Sequence, residues 1–259
     1  MHDLNLKNSS IAAKKFELPH GDVQFVDSPG IGLVAPFDFA LDAECWRWLP
    51  EKTPLYVTRT PHIENTAVTV DLAKEVSDDK AVTTAVKSLL AVKPAAIGYA
   101  CTSGSFVGGK LGEEQLQNTM VNAGAPAAVT TSGALVMALK HLNLKKVAVA
   151  TPYNETLSGM LNYFLQDHEF NVVSNGYLDK EEGIAKISYE TVKSLARFVD
   201  RPDAEAIFFS CTNLRTFDII EELEKELDKP VLSANQVTIW ASLKLGGLQI
   251  PQIKQALFR

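Results

Sequence analysis

The sequence predicts an α/β protein with parallel sheets covered by helices, built as two similar units. Three observations carry this: short continuous apolar runs, amphipathic stretches between them, and a faint internal duplication. The runs are Ile31–Ala35, Leu55–Thr58, Ala95–Ala100, Ala127–Thr130, Lys146–Ala150, Asn171–Ser174, Ala206–Ser210 and Pro230–Leu232. They are short and show no polar alternation, as strands buried on both faces should. Between them, Lys80–Ala91 places Ala81, Ala85 and Leu89 on one helical face. Thr216–Leu227 does the same with Ile219, Ile220, Leu223 and Leu227, with acids between them. Asp79 and Ser132 are the expected N-caps. Alternating strands and helices imply parallel pairing, because parallel strands need a crossover. Residues 1–18 and Asp179–Gly183 read as a polar extension and a polar loop.

The duplication appears in three strings. Ile31-Gly-Leu-Val-Ala-Pro-Phe-Asp38 resembles Val147-Ala-Val-Ala-Thr-Pro-Tyr-Asn154. Tyr99-Ala-Cys-Thr-Ser103 resembles Phe209-Ser-Cys-Thr-Asn213. Val129-Thr-Thr-Ser-Gly-Ala-Leu135 resembles Val231-Leu-Ser-Ala-Asn-Gln-Val237. Each string alone is weak; three in one order point to two related units. Sites in open parallel sheets lie beyond the carboxyl ends of the strands. Two facing units would therefore set Cys101 and Cys211 on opposite sides of one cleft.

The chain has 259 residues, a formal charge of −6 and 46% hydrophobic residues. This composition excludes wholesale disorder, and no basic patch suggests a nucleic-acid partner. No stretch is long and apolar enough for a membrane span, and no secretory signal is visible. The three cysteines show neither disulfide-scaffold density nor zinc spacing, so no metal site and a cytoplasmic location are expected.

Each of the two cysteines follows an apolar strand and precedes polar turn residues: Thr102 and Ser103, or Thr212 and Asn213. Backbone N–H groups at such turns favour thiolate and can hold a carboxylate. Removing a proton next to a carboxylate builds an enediolate, which fixed donors must stabilise. A thiol on each face lets one accept a proton while the other gives one. Two buried structural cysteines are the alternative. Cys45 has no counterpart in the second half, and His2, His20, His62, His141 and His168 stand in unrelated contexts. Gly108-Gly109 lacks the lysine and spacing of a phosphate loop. Thr130-Thr131-Ser132-Gly133 opens a helix, either as a plain cap or as an anion seat. Trp46, Trp48 and Trp240 are expected in the core or at a subunit contact.

These strings resemble the aspartate/glutamate racemase superfamily. Within it the chain is similar to the branch of maleate cis-trans isomerases, arylmalonate decarboxylases and ectoine-utilisation proteins, most of all to the last. The similarity rests on Pro36–Trp48, Tyr99–Phe106, Thr130–Ala134, Ala150–Tyr153, Ser210–Leu214 and Ser233–Thr238, and runs from about Gly30 to Gly247. It implies two Rossmann-like domains about a pseudo-twofold axis, with the active site between them. The expected division is 19–131 with 233–259, against 132–232. It also implies no metal or organic cofactor, a small carboxylate substrate, and a homo-oligomer, dimer or higher.

The family's nucleophile and proton donor fall on Cys101 and Cys211. Its cleft tyrosine falls on Tyr153, and its carboxylate-holding residues on Thr102 and Ser103. Thr212, Asn213 and Asp38 complete the expected substrate-binding set. Two positions depart from the maleate isomerase pattern. Asp38 stands where an Asn is expected after the first strand's proline, and no Asn stands near Lys180. The sequence thus points to a cofactor-independent isomerase or racemase. A decarboxylase using Cys211 as acid, or a carboxylate-binding protein without turnover, are the alternatives.

Overall fold

The computed structural model describes residues 29–64 and 67–259. The expected N-terminal extension lies outside the described residues. In the first half, β1 (Ile31–Ala35), β2 (Leu55–Arg59), β3 (Ala96–Tyr99) and β4 (Ala128–Thr130) form one sheet. In the second half, β5 (Lys146–Thr151), β6 (Asn171–Tyr177), β7 (Ala206–Phe209) and β8 (Val231–Ser233) form another. The strand orders, β2-β1-β3-β4 and β6-β5-β7-β8, are the same, and every pairing is parallel. All eight expected strands are present, and the duplication in the sequence is a duplication of topology. β1, β3, β7 and β8 are buried throughout, which accounts for their unbroken apolar character.

The ladders correct one detail of the repeat. Ile97 pairs with Ala128, and Ile207 pairs with Val231. Ala128, not Val129, is therefore the counterpart of Val231, and Thr130 is the counterpart of Ser233. Apolar runs in β4 and β8 tolerate either alignment; only the hydrogen-bond register decides.

Helices α1 (Asp42–Trp46), α2 (Val70–Val76), α3 (Asp79–Leu89), α4 (Thr102–Phe106) and α5 (Gly109–Asn122) belong to the first half. Then come α6 (Thr131–His141), α7 (Glu155–Asp167), α8 (Tyr189–Val199), α9 (Phe217–Leu227) and α10 (Ala234–Leu245). The two expected helices match α3 and α9, but both expected caps move. Asp78, not Asp79, caps α3, accepting from the Lys80 and Ala81 N–H groups at 3.0 Å. Asp79 instead accepts from the Gln115 and Thr119 side chains of α5. Thr130, not Ser132, caps α6, accepting from the Gly133 N–H at 2.9 Å. Here the strand turns into the helix with no intervening loop, so the cap is the strand's last residue.

Helix α10 packs back on β3 and β4 of the first sheet and on α6. It lies so close that a Cβ on Gly98 would fall 2.7 Å from the Ser242 Oγ. Trp48 and Trp240 are buried, whereas Trp46 is about half exposed. No helix among the described residues is long and apolar enough to cross a membrane.

The halves are also joined by a buried carboxylate. Glu44 of α1 accepts, through one oxygen, the Thr216 N–H, the Thr216 hydroxyl and the Phe217 N–H, each at 2.9 Å. It thereby supplies partners for the free N–H groups that open α9. Glu44→Ala strands two buried donors and should cost about 2–3 kcal/mol in urea unfolding. Glu44→Gln keeps an acceptor oxygen in place and should cost about 1 kcal/mol or less. Equal losses would show that the contact is packing alone.

Candidate active site

Cys101 and Cys211 end equivalent strands, yet their backbones differ. Cys101 is extended (φ −146°, ψ 115°) and leads directly into α4. Cys211 has φ +89°, a left-handed value rare for a residue with a side chain, and a turn follows it instead of a helix. Such a backbone persists only where its surroundings hold it. One holder is visible: the Thr102 Oγ1 accepts the Cys211 N–H at 3.2 Å. In return the Thr212 Oγ1 donates to the Ala100 carbonyl at 3.1 Å. The two Cys-Thr turns thus grip each other, each threonine binding the other turn's main chain.

The two thiols line one narrow cleft, with an enclosed volume of about 30 Å³. Asp38, Thr102, Ser103 and Tyr153 line it as well, and Thr212 and Asn213 complete the set expected from the sequence. The side chains are not equally free. Ser103 Oγ lies 3.8 Å from the Cys101 sulfur. The Tyr153 hydroxyl accepts from Ser210 at 3.3 Å and reaches the Cys211 thiol. Thr212 spends its proton on Ala100, and Asn213 holds the Asp38 loop. The Asn213 Oδ1 accepts the Ala40 N–H at 2.9 Å, and its Nδ2 donates to the Asp38 carbonyl and carboxylate at 3.2 and 3.3 Å. Thr212 and Asn213 therefore act on the cleft chiefly through the segments they fix.

The remaining wall was not expected from the sequence. Leu72, Ala73 and Val76 of α2 close one side, and Val68 and Ile184 close the mouth. The two mouth segments are tied by the Val68 N–H donating to the Glu181 carbonyl at 2.9 Å. Asp179–Gly183 is thus a fastened loop, with the Lys180 N–H on the Pro152 carbonyl at 2.8 Å. Tyr99 was also missed. Its hydroxyl donates to the Val76 carbonyl at 3.0 Å and stands against the Cys101 thiol. The Thr130–Gly133 turn is a plain cap, with the Thr130 hydroxyl donating to Glu113. Cys45 and Trp48 lie in the apolar core.

The electrostatics depart from expectation in one respect. Backbone donors do reach the thiols: the Gly104 N–H at Cys101 and the Asn213 N–H at Cys211. Burial outweighs them. It pushes Cys101 up to about 11 and Cys211 up to about 12, and Asp38 adds to both shifts. Burial also raises the Asp38 carboxyl, with the Asn213 amide pulling the other way. The lining contains no Lys, Arg or His, so no fixed cation favours thiolate. Among the described residues no group of three or more His, Cys, Asp or Glu is placed to hold a metal. What the cleft offers is a pair of neutral thiols and a carboxylate, against an apolar wall.

Alkylation tests these acidities. Only the thiolate reacts, and its fraction grows tenfold per pH unit until the pKa is reached. With both values raised, iodoacetamide labelling of Cys101 and Cys211 should still be climbing at about pH 10, past the usual thiol midpoint near 8.5. Cys45, 1% exposed and with its pKa also raised by burial, should label last in the folded protein. A plateau near pH 8.5 for either cleft thiol, or first labelling at Cys45, would contradict the site.

Residues 66–257 match the protein family described as arylmalonate decarboxylase. The chain is 30% identical to the arylmalonate decarboxylase of Bordetella bronchiseptica over 152 residues, 56% of this chain and 62% of that one. It is 28% identical to the maleate isomerase of Nocardia farcinica over 159 residues, 58% of this chain and 63% of the relative. The matched stretches thus span under two thirds of these relatives' lengths. A crystal structure of an arylmalonate decarboxylase mutant in the liganded form superposes with a TM-score of 0.80 at 26% identity, covering 89% of this chain and 98% of that one. A Nocardia farcinica maleate cis-trans isomerase with a covalently bound succinylcysteine intermediate superposes at 0.79 and 22% identity, covering 88% and 97%. With its two matching parallel sheets and three quarters of its length inside the family's match, the chain belongs to the arylmalonate decarboxylase family.

Proposed function

We propose that this chain is a cofactor-independent, two-cysteine isomerase or racemase of a small carboxylate. The observation that carries the reading is the pairing of Cys101 and Cys211, on equivalent strands, around one cleft whose lining, among the described residues, holds no cation. We treat residues 19–131 together with 233–259 as one unit, and 132–232 as the other. The packing of α10 on β3 and β4 supports that division.

The resemblance to maleate isomerases assigns the roles: Cys101 is the base or nucleophile and Cys211 the proton donor. Burial raises both thiols, so each holds its proton until the substrate is in place. In a racemisation, Cys101 first gives its proton to solvent; its thiolate then takes the α-proton and the electron pair moves into the carboxylate as an enediolate. Cys211 then gives its proton to the opposite face, so that thiol and thiolate have exchanged places. On an alkene, the Cys101 thiolate adds to one alkene carbon while the π pair takes the Cys211 proton at the other; the resulting single bond rotates, and the Cys211 thiolate takes a proton back from that carbon as the double bond re-forms and the carbon–sulfur bond breaks. The succinylcysteine named for the Nocardia farcinica enzyme supports this route. Thr102 and Ser103 hold the carboxylate, and Tyr153 orients the Cys211 thiol. The resemblance to ectoine-utilisation proteins supports a substrate from ectoine breakdown, in the cytoplasm. The 30% identity to an arylmalonate decarboxylase favours a second reading, in which Cys211 alone protonates a carbanion left by carbon dioxide.

Single substitutions separate these readings. With a panel of small chiral carboxylates in deuterium oxide, Cys101→Ser and Cys211→Ser should each lose on the order of 10²–10⁴-fold in interconversion. The double variant should be little worse, because groups acting as a unit are strongly non-additive. On an alkene, only the variant that keeps Cys101 should show a covalent adduct by mass spectrometry. Carbon dioxide release by Cys101→Ser would establish the decarboxylase instead. Full interconversion in either single variant overturns the two-cysteine mechanism.

A further inference from the structure

We propose that Asp38 makes the cleft selective for a carboxylate that also carries a cationic nitrogen, an ammonium or amidinium group. The inference rests on the reading of the cleft as a carboxylate site and names its substrate class. Asp38 follows β1 and lines the cleft beside both thiols. Its donors are its own backbone N–H and the Asn213 amide, the latter at 3.3 Å. None of the ion pairs among the described residues involves it. It therefore presents a carboxylate edge to whatever fills the cleft.

The adjoining space has the same character. Past Asp38 and Ile184 the cleft meets a wider cavity of about 280 Å³, lined also by Glu181 and Glu182 and, among the described residues, by no Lys, Arg or His. The charged groups among the described lining residues are all carboxylates. A dicarboxylate would set its second charge against Asp38, with no cation in that lining to offset it. A substrate with one carboxylate and one cation fits in a single orientation. Its carboxylate lies against the Thr102 and Ser103 hydroxyls, and its cation lies against Asp38. Asn213, which fixes both the Asp38 carboxylate and its loop, is the positioning residue for this contact. Proximity of like charges in a half-desolvated site is worth about tenfold or more in affinity, and an opposite-charge contact a similar factor in the other direction.

The test compares two four-carbon probes, maleate and 2,4-diaminobutyrate, by titration calorimetry at low salt. The native protein should bind diaminobutyrate at least about tenfold more tightly than maleate. Asp38→Asn, isosteric and checked for fold by circular dichroism, should move that ratio toward maleate by on the order of 10²-fold. If the variant does not fold, the native protein supplies the second comparison. Acetylating the 4-amino group, which removes that cation, should weaken binding about tenfold or more. Maleate bound as tightly as diaminobutyrate, an unchanged ratio in Asp38→Asn, no loss on acetylation, or no binding of diaminobutyrate overturns the proposal. Solvent deuterium appearing at the α-carbon, and lost in Cys101→Ser, reports on the two-cysteine reading separately. Turnover without the charge preference sinks this inference alone; preference without turnover sinks only the catalytic reading.

Discussion

The site depends on the reciprocal grip between the two Cys-Thr turns. Strand ends in separate sheets have no ladder between them, so something else must hold them at a fixed distance. Here each threonine hydroxyl serves the other turn's backbone: Thr102 takes the Cys211 N–H, and Thr212 gives its proton to the Ala100 carbonyl. Both threonines are almost fully buried, where an unmade hydrogen bond costs more than a made one returns. Separating the turns would leave an orphaned N–H and an orphaned carbonyl. The grip also explains how Cys211 keeps a left-handed backbone that its side chain disfavours. Thr212, expected from the sequence to bind the substrate, lines the cleft and also forms half of this clasp.

Once the turns are fixed, burial sets the chemistry. Closing a thiol pair beneath Leu72, Ala73 and Val76 removes the water that would stabilise a thiolate. Two backbone donors do not compensate, and Asp38 works against ionisation at both sulfurs. The resting site is therefore a pair of acids, and a base appears only when a proton leaves. A bound cation near Asp38 would cancel the carboxylate's influence and ease the first ionisation. On the proposed reading, substrate recognition and thiol activation would be coupled through this single residue.

Much of this was legible in the sequence, for identifiable reasons. Strands buried on both faces leave continuous apolar runs, and all eight were found. Repeated strand-Cys-Thr strings exposed the duplication, and with it the meeting of Cys101 and Cys211. What escaped depends on register or on long-range contact. The β4–β8 alignment slipped by one residue because apolar runs carry no hydrogen-bond pattern. Asp78 and Asp79 are chemically identical, and only the entry angle of α3 decides which one caps. Leu72, Ala73 and Val76 read as an ordinary apolar helix face, which they are; nothing local says that the face covers a cavity. Tyr99 looked like a strand aromatic, since its partners, the Val76 carbonyl and Cys101, come together only in the fold. The depressed thiol pKa values expected from the turn donors failed for a related reason: donors can be inferred from a turn, whereas the depth of burial cannot.

The duplication also shows where the halves parted. The ladders make Phe37 and Asp38 the counterparts of Tyr153 and Asn154. In the second half the Asn turns inward to cap α7, accepting the Leu157 N–H at 3.0 Å, and the aromatic before it carries the hydroxyl that reaches Cys211. In the first half the aromatic is Phe37, packed edge-on against His62, and the acid after it is free of any cap and turns to the cleft. One strand end thus contributes a neutral hydroxyl beside Cys211, and the other a carboxylate that bears on both thiols. A helix follows Cys101 directly, and none follows Cys211. A symmetric ancestor of this arrangement would treat both faces of a bound carboxylate alike. Divergence at these few positions leaves one wall of the cleft with a carboxylate and the other with a hydroxyl, so its two faces differ.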